Sequence, residues 1–245
     1  MEGTAMRESR NFPRSVCIAT PAYEGTCKMS YVESLLPLVI QMMRQNIGIH
    51  FTTSKGALVV PGRNLCVDYF LNRTDASHLL FIDNDMSWRA TDLMRMLGHS
   101  DRDVIAAMCP KKEYDWERIA KIARERPDLP ASALPLYGVK QVNNIPVYDD
   151  IIEVDGIGTG MMLIRREVFD ALRLAHPDWI QGGTGVHKNT VAYFGGVRNT
   201  DGISEDLAFC ADVRALGKRV YACPWLRIGH TGNHEFVGHP LSTNM

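Results

Sequence analysis

One short stretch, His78-Leu79-Leu80-Phe81-Ile82-Asp83-Asn84-Asp85-Met86, constrains the fold more than any other part of the sequence. An apolar run of this length that ends in a polar turn predicts a buried strand. Open α/β sheets bind their ligands beyond the carboxyl ends of their strands, where Asp83 and Asp85 would stand. Two neighbouring carboxylates there are poor for stability, but they can hold a divalent cation through hard oxygen ligands. We therefore predict that Asp83 and Asp85 form the centre of an active site.

Strand and helix patterns alternate on both sides of this stretch. The predicted strands are 15–20, 49–53, 78–82 and 103–108. Three helices are predicted: the first is capped by Ser30 and runs to about Asn46, the second is at 60–71 and the third is at 90–99. Such alternation is typical of parallel strands joined by right-handed crossovers. The sequence therefore predicts an α/β fold, with a mostly parallel central sheet flanked by helices.

The second half of the chain has a different pattern. Segment 111–150 is polar and rich in proline, with one exposed helix predicted at 116–125. The further predicted strands are 151–154, 160–164, 191–194, 219–223 and 226–228, and the further predicted helices are 166–174 and 205–216. Ser204 is predicted to cap the last helix, Gly217 to end it, and a polar tail to begin near His230.

Composition excludes several classes of protein. A formal net charge of −1 gives the chain no overall attraction for nucleic acid or acidic membranes. The six cysteines include no C-x-x-C pair, which favours free buried thiols in a reducing compartment. The chain opens with polar residues, and its apolar runs are too short to cross a bilayer. We therefore expect a soluble cytoplasmic protein with no transmembrane segment.

Four short motifs are candidates for chemistry, and each also has a structural explanation. The Asp83–Asp85 pair could instead cap the helix that follows it. Acids at 205 and 206 would complement a helix dipole by about 0.3–1 kcal/mol each. Glycines at 158 and 160 could simply make a turn, and a lone His230 is more often incidental than a ligand. His176, His187, His234 and His239 have no supporting motif.

The order of these motifs is more specific than any one of them. The chain contains, in this order, an acidic pair after a strand, a glycine turn, an acidic pair that opens a helix, and a histidine. This order resembles the GT-A glycosyltransferases, in particular the small family-2-like enzymes of bacteria and their viruses. The most specific segments are GIGTGMMLIRREVF and SEDLAFCADVRALGKRVYACPWLRIGH, and the similarity spans roughly residues 16–232.

The resemblance implies a fold, a reaction and a division of the chain. The fold would be a single GT-A (Rossmann-like) domain at 15–232, between a flexible N-terminus at 1–14 and a C-terminal tail at 233–245. Within it, 15–110 would bind the nucleotide sugar and 111–232 the acceptor. The reaction would be metal-dependent transfer of a sugar from a nucleotide-sugar donor, expected to be a UDP-sugar, to an acceptor hydroxyl. Inversion is expected, and retention stays an alternative.

The resemblance also assigns roles to individual residues. Asp83, Asp85 and His230 would hold Mn²⁺ or Mg²⁺ against the donor diphosphate. Asp206, or as second choice Glu205, would be the catalytic base. Residues expected to line the sugar and acceptor are Gly158, Thr159 and Gly160. Residues expected to contact the donor are Thr20, Pro21, Ala22, Tyr23, Arg63, Asp83, Asn84, Asp85 and Lys111. Lys111 and its neighbour Lys112 could equally be a solvated pair on a loop.

Other interpretations remain open at this stage. The acceptor could be a saccharide, a lipid-linked glycan, a protein or a hydroxymethylated DNA base. The net charge argues mildly against a polynucleotide, but Trp116, Lys121, Arg124 and Arg126 could still form a local basic surface. A nucleotidyltransferase is a second possibility, but Gly25 is the only glycine at 20–28, where that class usually carries a glycine-rich phosphate loop. A non-catalytic nucleotide-sugar-binding module is a third, and it would require Glu205 and Asp206 to be structural.

Overall fold

Strands and helices alternate through most of the chain. A computed structural model describes residues 11–22, 25–56, 58–130, 139–141, 151–180, 190–195, 203–232 and 235–238. The strands are β1 (Ser15–Ala22), β2 (Gly48–Lys55), β3 (His78–Ile82), β4 (Met86–Trp88), β5 (Val104–Ala107), β6 (Val139–Gln141), β7 (Ile152–Ile157), β8 (Met161–Arg165), β9 (Val220–Cys223), β10 (Ile228–Thr231) and β11 (Glu235–Gly238). The helices are α1 (Met29–Arg44), α2 (Val59–Arg73), α3 (Ala90–Leu97), α4 (Trp116–Glu125), α5 (Arg166–Ala175) and α6 (Glu205–Ala215).

An eight-stranded sheet forms the centre of the fold, in the order β2-β1-β3-β8-β5-β9-β7-β6. Strands β7 and β8 run against the other six, which share one direction. The predicted α/β class, with a mostly parallel central sheet flanked by helices, is therefore confirmed. Strand β8 lies between β3 and β5, so strands from both halves of the chain alternate within one sheet.

Strand β3 is buried along its whole length, as its apolar run predicts. Leu79 and Phe81 pack in the core on one face of the sheet, and Leu80 and Ile82 pack in the core on the other. Successive strand residues point to opposite faces, so covering both faces requires an unbroken apolar run. The first polar residue after this run, Asp83, therefore emerges at the carboxyl edge of the sheet.

A smaller antiparallel sheet, in the order β11-β10-β4, stands beside that edge. Strand β4 begins directly after Asp85 and pairs with β10, which carries His230. The sequence did not predict β4, and the C-terminal segment that was predicted to be a polar tail contributes β11. The acidic turn therefore connects a strand of one sheet to a strand of the other.

Several local predictions were wrong. Ser30 lies inside α1 rather than capping it, and its hydroxyl is 3.3 Å from the Thr231 hydroxyl, which links the helix to β10. The segment predicted as a strand at 191–194 contributes only an isolated bridge between Ile180 and Val191. All six cysteines are free; Cys17, Cys66, Cys210 and Cys223 are buried as predicted, whereas Cys27 is exposed and Cys109 is half-buried. No helix formed by the described residues is long and apolar enough to span a membrane.

Candidate active site

A cavity of about 310 Å³ opens at the carboxyl ends of β1, β2 and β3. This is the edge at which open α/β sheets bind ligands. The cavity is lined by Pro21, Ala22, Ser54, Gly56, Leu58, Val59, Gly62, Asp83, Asn84, Asp85, Lys112 and His230. The structure thus brings together six of the predicted site residues, which come from three separate parts of the sequence.

Backbone hydrogen bonds fix the acidic turn on both sides. The Asp83 amide donates to the Gly160 carbonyl at 2.9 Å, and the Thr231 amide donates to the Asp85 carbonyl at 2.8 Å. The side-chain amide of Asn84 donates to the Thr26 carbonyl at 2.7 Å, which holds the loop after β1. Asn84 therefore organises the rim of the cavity, in addition to lining it.

Asp85 is surrounded by basic groups. The Lys112 ammonium donates to Oδ2 at 2.6 Å, and His230 Nε2 lies 3.4 Å from Oδ1. Burial acts to raise the pKa of Asp85, but hydrogen bonds from His230 and Lys112 outweigh it and hold that pKa below its ordinary value. Asp85 is therefore ionised at neutral pH.

The orientation of the His230 ring is set by its other nitrogen. His230 Nδ1 donates to the Pro110 carbonyl oxygen at 2.7 Å, and a carbonyl can only accept. Nε2 is therefore the nitrogen that faces Asp85: it donates a hydrogen bond to the carboxylate when the ring carries both protons, and a neutral ring, with its proton on Nδ1, offers the Nε2 lone pair to a cation bound between them. A backbone carbonyl on the second nitrogen is the usual way in which a metal-binding histidine is oriented.

Asp83 differs from Asp85 in its surroundings. Its Oδ2 lies 3.5 Å from Arg63 Nη2, while its Oδ1 is buried and has no hydrogen-bond partner among the described residues. Burial raises the pKa of Asp83, and the nearby Arg63 guanidinium only partly opposes this. A buried carboxylate oxygen without a partner is costly unless a ligand satisfies it.

Arg63 links this turn to the start of α6. The side chain is buried, and its Nη1 donates to Glu205 Oε1 at 2.5 Å while Nη2 faces Asp83. One guanidinium therefore bridges two carboxylates that are more than a hundred residues apart in sequence. Arg63 does not itself line the cavity, so its predicted contact with the donor stays a prediction, and its contacts in the structure are to these two carboxylates.

The donor set partly fits a divalent cation. Asp85 Oδ1 and His230 Nε2 are close enough to share one ion, and the partnerless Asp83 oxygen is a further hard ligand. However, no three His, Cys, Asp or Glu side chains in the described ranges form a group that could hold a metal by themselves. A cation here would need ligand phosphate oxygens or water to complete its shell, which is how Mg²⁺ usually binds.

Glu205 and Asp206 have different partners at the start of α6. Glu205 is paired with Arg63. Asp206 Oδ1 accepts hydrogen bonds from the Ser204 hydroxyl and from the Leu207 amide, whereas Oδ2 faces the glycine turn. A Cβ placed on Gly158 would lie 3.3 Å from that Oδ2. Asp206 is therefore the acid whose second oxygen is directed toward the turn, and Gly158 leaves the space beside it open.

The rest of the glycine turn has a packing role. A Cβ on Gly160 would collide with Met86 and would lie 3.1 Å from Cys109 Sγ. Thr159 is completely buried, and its hydroxyl finds no partner within the described part of the chain. Of the three residues predicted to line the sugar and acceptor, Gly158 lies against a candidate catalytic side chain, whereas Gly160 supports the acidic turn by accepting the Asp83 amide.

Some predicted donor contacts lie elsewhere. Thr20 is buried, and its hydroxyl shares a 2.5 Å hydrogen bond with the Tyr31 hydroxyl instead of facing the cavity. Lys111 pairs with Glu113 at 3.1 Å, while its neighbour Lys112 lines the cavity. Tyr23 lies outside the described residues.

Another part of the cavity wall comes from the end of β2 and the start of α2. Five cavity residues at the end of β2 and the start of α2 were not predicted, namely Ser54, Gly56, Leu58, Val59 and Gly62. Because β2 is parallel to β1, its carboxyl end had to reach the same edge of the sheet, and this could have identified them.

Comparison with known proteins gives a similarity of fold. The sequence matches no protein-family profile and no curated protein. A197 from STIV is 18% identical over 94% of this chain and 92% of its own, with a TM-score of 0.50. GalNAc-T7, crystallised with UDP, GalNAc and Mn²⁺, is 12% identical over 91% of this chain and 44% of its own, with a TM-score of 0.42. S. aureus TarS 1–349 is 13% identical over 85% of this chain and 57% of its own, with a TM-score of 0.37.

At such identities only the fold is informative. The similarity to A197 extends over nearly the full length of both chains. The α/β topology described above is consistent with the single GT-A, Rossmann-like domain that the sequence resemblance implies.

Proposed function

We propose that this chain is a glycosyltransferase that moves a sugar from a nucleotide-sugar donor, in the first instance a UDP-sugar, to an acceptor hydroxyl. The observation that carries the proposal is the composition of the cavity. Asp83, Asp85, Lys112 and His230 converge on it at the carboxyl edge of the sheet. Acidic, cationic and imidazole groups at this edge suit a diphosphate ligand with an accompanying cation.

The cavity offers several features that favour phosphate. Helix α2 begins at its wall, with Leu58, Val59 and Gly62 lining it, and the first amides of a helix attract anions. The Lys112 ammonium also lines the cavity, where it contacts Asp85, and it can turn from Asp85 to a phosphate oxygen. A volume of about 310 Å³ is at the lower end of the range for small-molecule sites. The ends of β1 and β2 would then border the nucleoside.

The acidic side of this cavity would hold a divalent cation whose shell is completed by ligand phosphate oxygens or water. Asp85 and His230 would hold Mn²⁺ or Mg²⁺, with Asp83 as a further oxygen ligand. When bound, the cation supplies Lewis-acid stabilisation of the charge that grows on the diphosphate as it leaves. The chain's own contribution is to keep Asp85 ionised and to direct His230 Nε2 toward it through the Pro110 carbonyl.

Asp206 is proposed as the catalytic base. The acceptor oxygen forms a bond to the anomeric carbon, the bond from that carbon to the phosphate oxygen breaks, and Asp206 takes the hydroxyl proton. Glu205 is less suited because Arg63 already binds it. A single base with in-line attack gives inversion at the anomeric carbon.

Product formation tests this function directly. The protein is incubated with a panel of nucleotide sugars, Mn²⁺ and mixed hydroxyl acceptors, and release of nucleoside diphosphate is measured with and without a chelator. We expect release from at least one donor and loss of release with the chelator. Failure of every donor to release nucleoside diphosphate contradicts the proposal.

Asp206→Asn tests the base. We expect transfer to fall at least a hundredfold, since general-base catalysis contributes about 10²–10⁴-fold, while donor affinity stays within twofold. Asp170→Asn, an exposed acid on α5, is the matched control. Near-normal transfer by Asp206→Asn would show that another group accepts the proton.

A further inference from the structure

Three aromatic side chains form a stack beside the candidate active site. The rings of Tyr114 and Phe236 are 4.7 Å apart, and those of Tyr114 and Trp116 are 4.6 Å apart and nearly parallel, at 18°. We call Phe236, Tyr114 and Trp116 the aromatic stack. Phe236 is 8% exposed and anchors the stack in the protein, whereas Tyr114 is 42% exposed and Trp116 is 68% exposed.

The aromatic stack is connected to the candidate active site through Phe236 and through Tyr114. Phe236 stands directly opposite His230 in the β10–β11 pair, and side chains in that relation project from the same face of the sheet. Tyr114 stands two residues after Lys112, and the Lys112 ammonium contacts Asp85. The series of contacts from His230 through Phe236 and Tyr114 therefore runs from a residue of the cavity to the exposed ring of Trp116.

The position of Trp116 is well defined although its ring is exposed. It is the first residue of α4, and the Asp115 carboxylate caps that helix by accepting the Arg118 amide at 2.9 Å. Every residue of α4 is at least partly exposed, so this helix does not place Trp116 to fill the core. A large aromatic surface held in water beside a cavity is typical of a binding site.

Charge near the aromatic stack favours a neutral ligand. Lys111 is paired with Glu113 at 3.1 Å and Lys112 with Asp85 at 2.6 Å. Over residues 113–126, which carry Tyr114 and Trp116, four basic side chains are matched by four acidic ones, so this segment has no net positive charge. The whole chain carries a net charge of −1. A polyanion would need unbalanced cations, because phosphate neutralisation supplies most of the affinity for nucleic acid.

We propose that the aromatic stack is the acceptor subsite and that it binds a neutral glycan by stacking a sugar ring on Trp116. One face of many sugar rings presents C–H groups with partial positive charge, which suit the negative face of an aromatic ring. The glycan would extend from Trp116 along Tyr114 toward the cavity. The inference rests on the proposed function, since the hydroxyl that receives the sugar belongs to the glycan held there.

Glycan binding is measured without donor, so that it can be judged apart from catalysis. The full chain is titrated with maltotetraose, cellotetraose and chitotetraose, and affinity is followed by calorimetry and by tryptophan fluorescence. We expect at least one tetrasaccharide to bind. Trp116→Ala should weaken that binding about tenfold or more, by analogy with the loss of one base–aromatic stacking contact, whereas Trp116→Phe should retain most of it. Trp116 is exposed, so both variants should unfold within a few degrees of wild type.

Tyr69→Ala is the matched control, because Tyr69 is an exposed aromatic residue on α2 outside the stack. Its affinity for the tetrasaccharides should equal that of wild type. The inference is overturned if no tetrasaccharide binds, if Trp116→Ala binds as tightly as wild type, or if a ten-residue oligothymidylate binds through Trp116 in place of the glycans. Glycan binding that depends on Trp116, together with no nucleoside diphosphate release by wild type, would support the glycan site and refute the glycosyltransferase.

Discussion

Arg63 should be the residue on which the folded candidate site most depends. Its side chain is 4% exposed and bridges Glu205, at 2.5 Å, and Asp83, at 3.5 Å. Arg63→Met keeps much of the volume but leaves two mostly buried carboxylates without their cation. Removing one partner of a buried ion pair costs about 3–5 kcal/mol, and because both acids keep about a quarter of their exposure we expect about 3 kcal/mol. For a chain of this size that corresponds to a decrease in Tm of roughly 6–12 °C.

Urea unfolding at pH 7 in the presence of a chelator measures this cost. Arg73→Met is the matched control, because Arg73 is an exposed arginine at the end of the same helix. Adding Glu205→Gln to Arg63→Met should recover part of the loss, since one of the unpaired charges is then removed. The two single variants and the double variant together form a cycle that isolates the pair.

The deficit of Arg63→Met should also depend on pH. Burial already raises the pKa of Asp83, and loss of Arg63 raises it further. The folded state then binds more protons than the unfolded state, so stability is lost as the pH rises through the folded pKa and is regained as the pH falls. The reasoning is refuted if Arg63→Met costs no more than Arg73→Met, or if Glu205→Gln restores nothing.

Three further outcomes are expected. Burial lowers the pKa of His78, so the unfolded state binds more protons than the folded state just below pH ~6.5. The unfolding free energy should therefore decrease as the pH falls in this range, and His78→Gln should flatten this dependence in urea titrations. Lys112→Met removes a cation that competes for Asp85, so the affinity for Mn²⁺, measured by electron paramagnetic resonance, should increase several-fold. The affinity for nucleoside diphosphate should decrease, and an unchanged affinity for Mn²⁺ would contradict the contact between Lys112 and Asp85. Gly158→Ala places a methyl group 3.3 Å from Asp206 Oδ2 and should lower transfer about tenfold with little change in Tm; full activity would place the acceptor elsewhere.

Local pattern was sufficient to predict several elements. The apolar run of β3 and the exposed helix α4 have the predicted bounds, because continuous burial and complete exposure leave clear signatures in sequence. The convergence of Asp83, Asp85 and His230 on one cavity also agrees with the prediction. It follows from the rule that strand ends collect at one edge of an α/β sheet.

Contacts between distant segments were harder to predict. The bridge from Arg63 to Glu205 and the pairing of β4 with β10 each join residues more than a hundred positions apart, and no local periodicity encodes such partners. Lys112 lines the cavity and Lys111 does not, and no pattern in the sequence distinguishes these two neighbours; a contact of Lys111 with the donor stays a prediction. Thr20 and Pro21 are successive residues of β1, so their side chains point to opposite sides, and Pro21 is the one that lines the cavity.

The insertion of β8 between β3 and β5 has a consequence for synthesis on the ribosome. When β5 has left the exit tunnel, its neighbours in the sheet, β8 and β9, have not yet been made. At about 5–20 residues per second, the apolar edges of β3 and β5 wait roughly 3–12 seconds for β8. The nascent chain is therefore a natural client for chaperones during this interval. A truncated chain that ends near residue 110 should aggregate rather than form an independent nucleotide-binding unit.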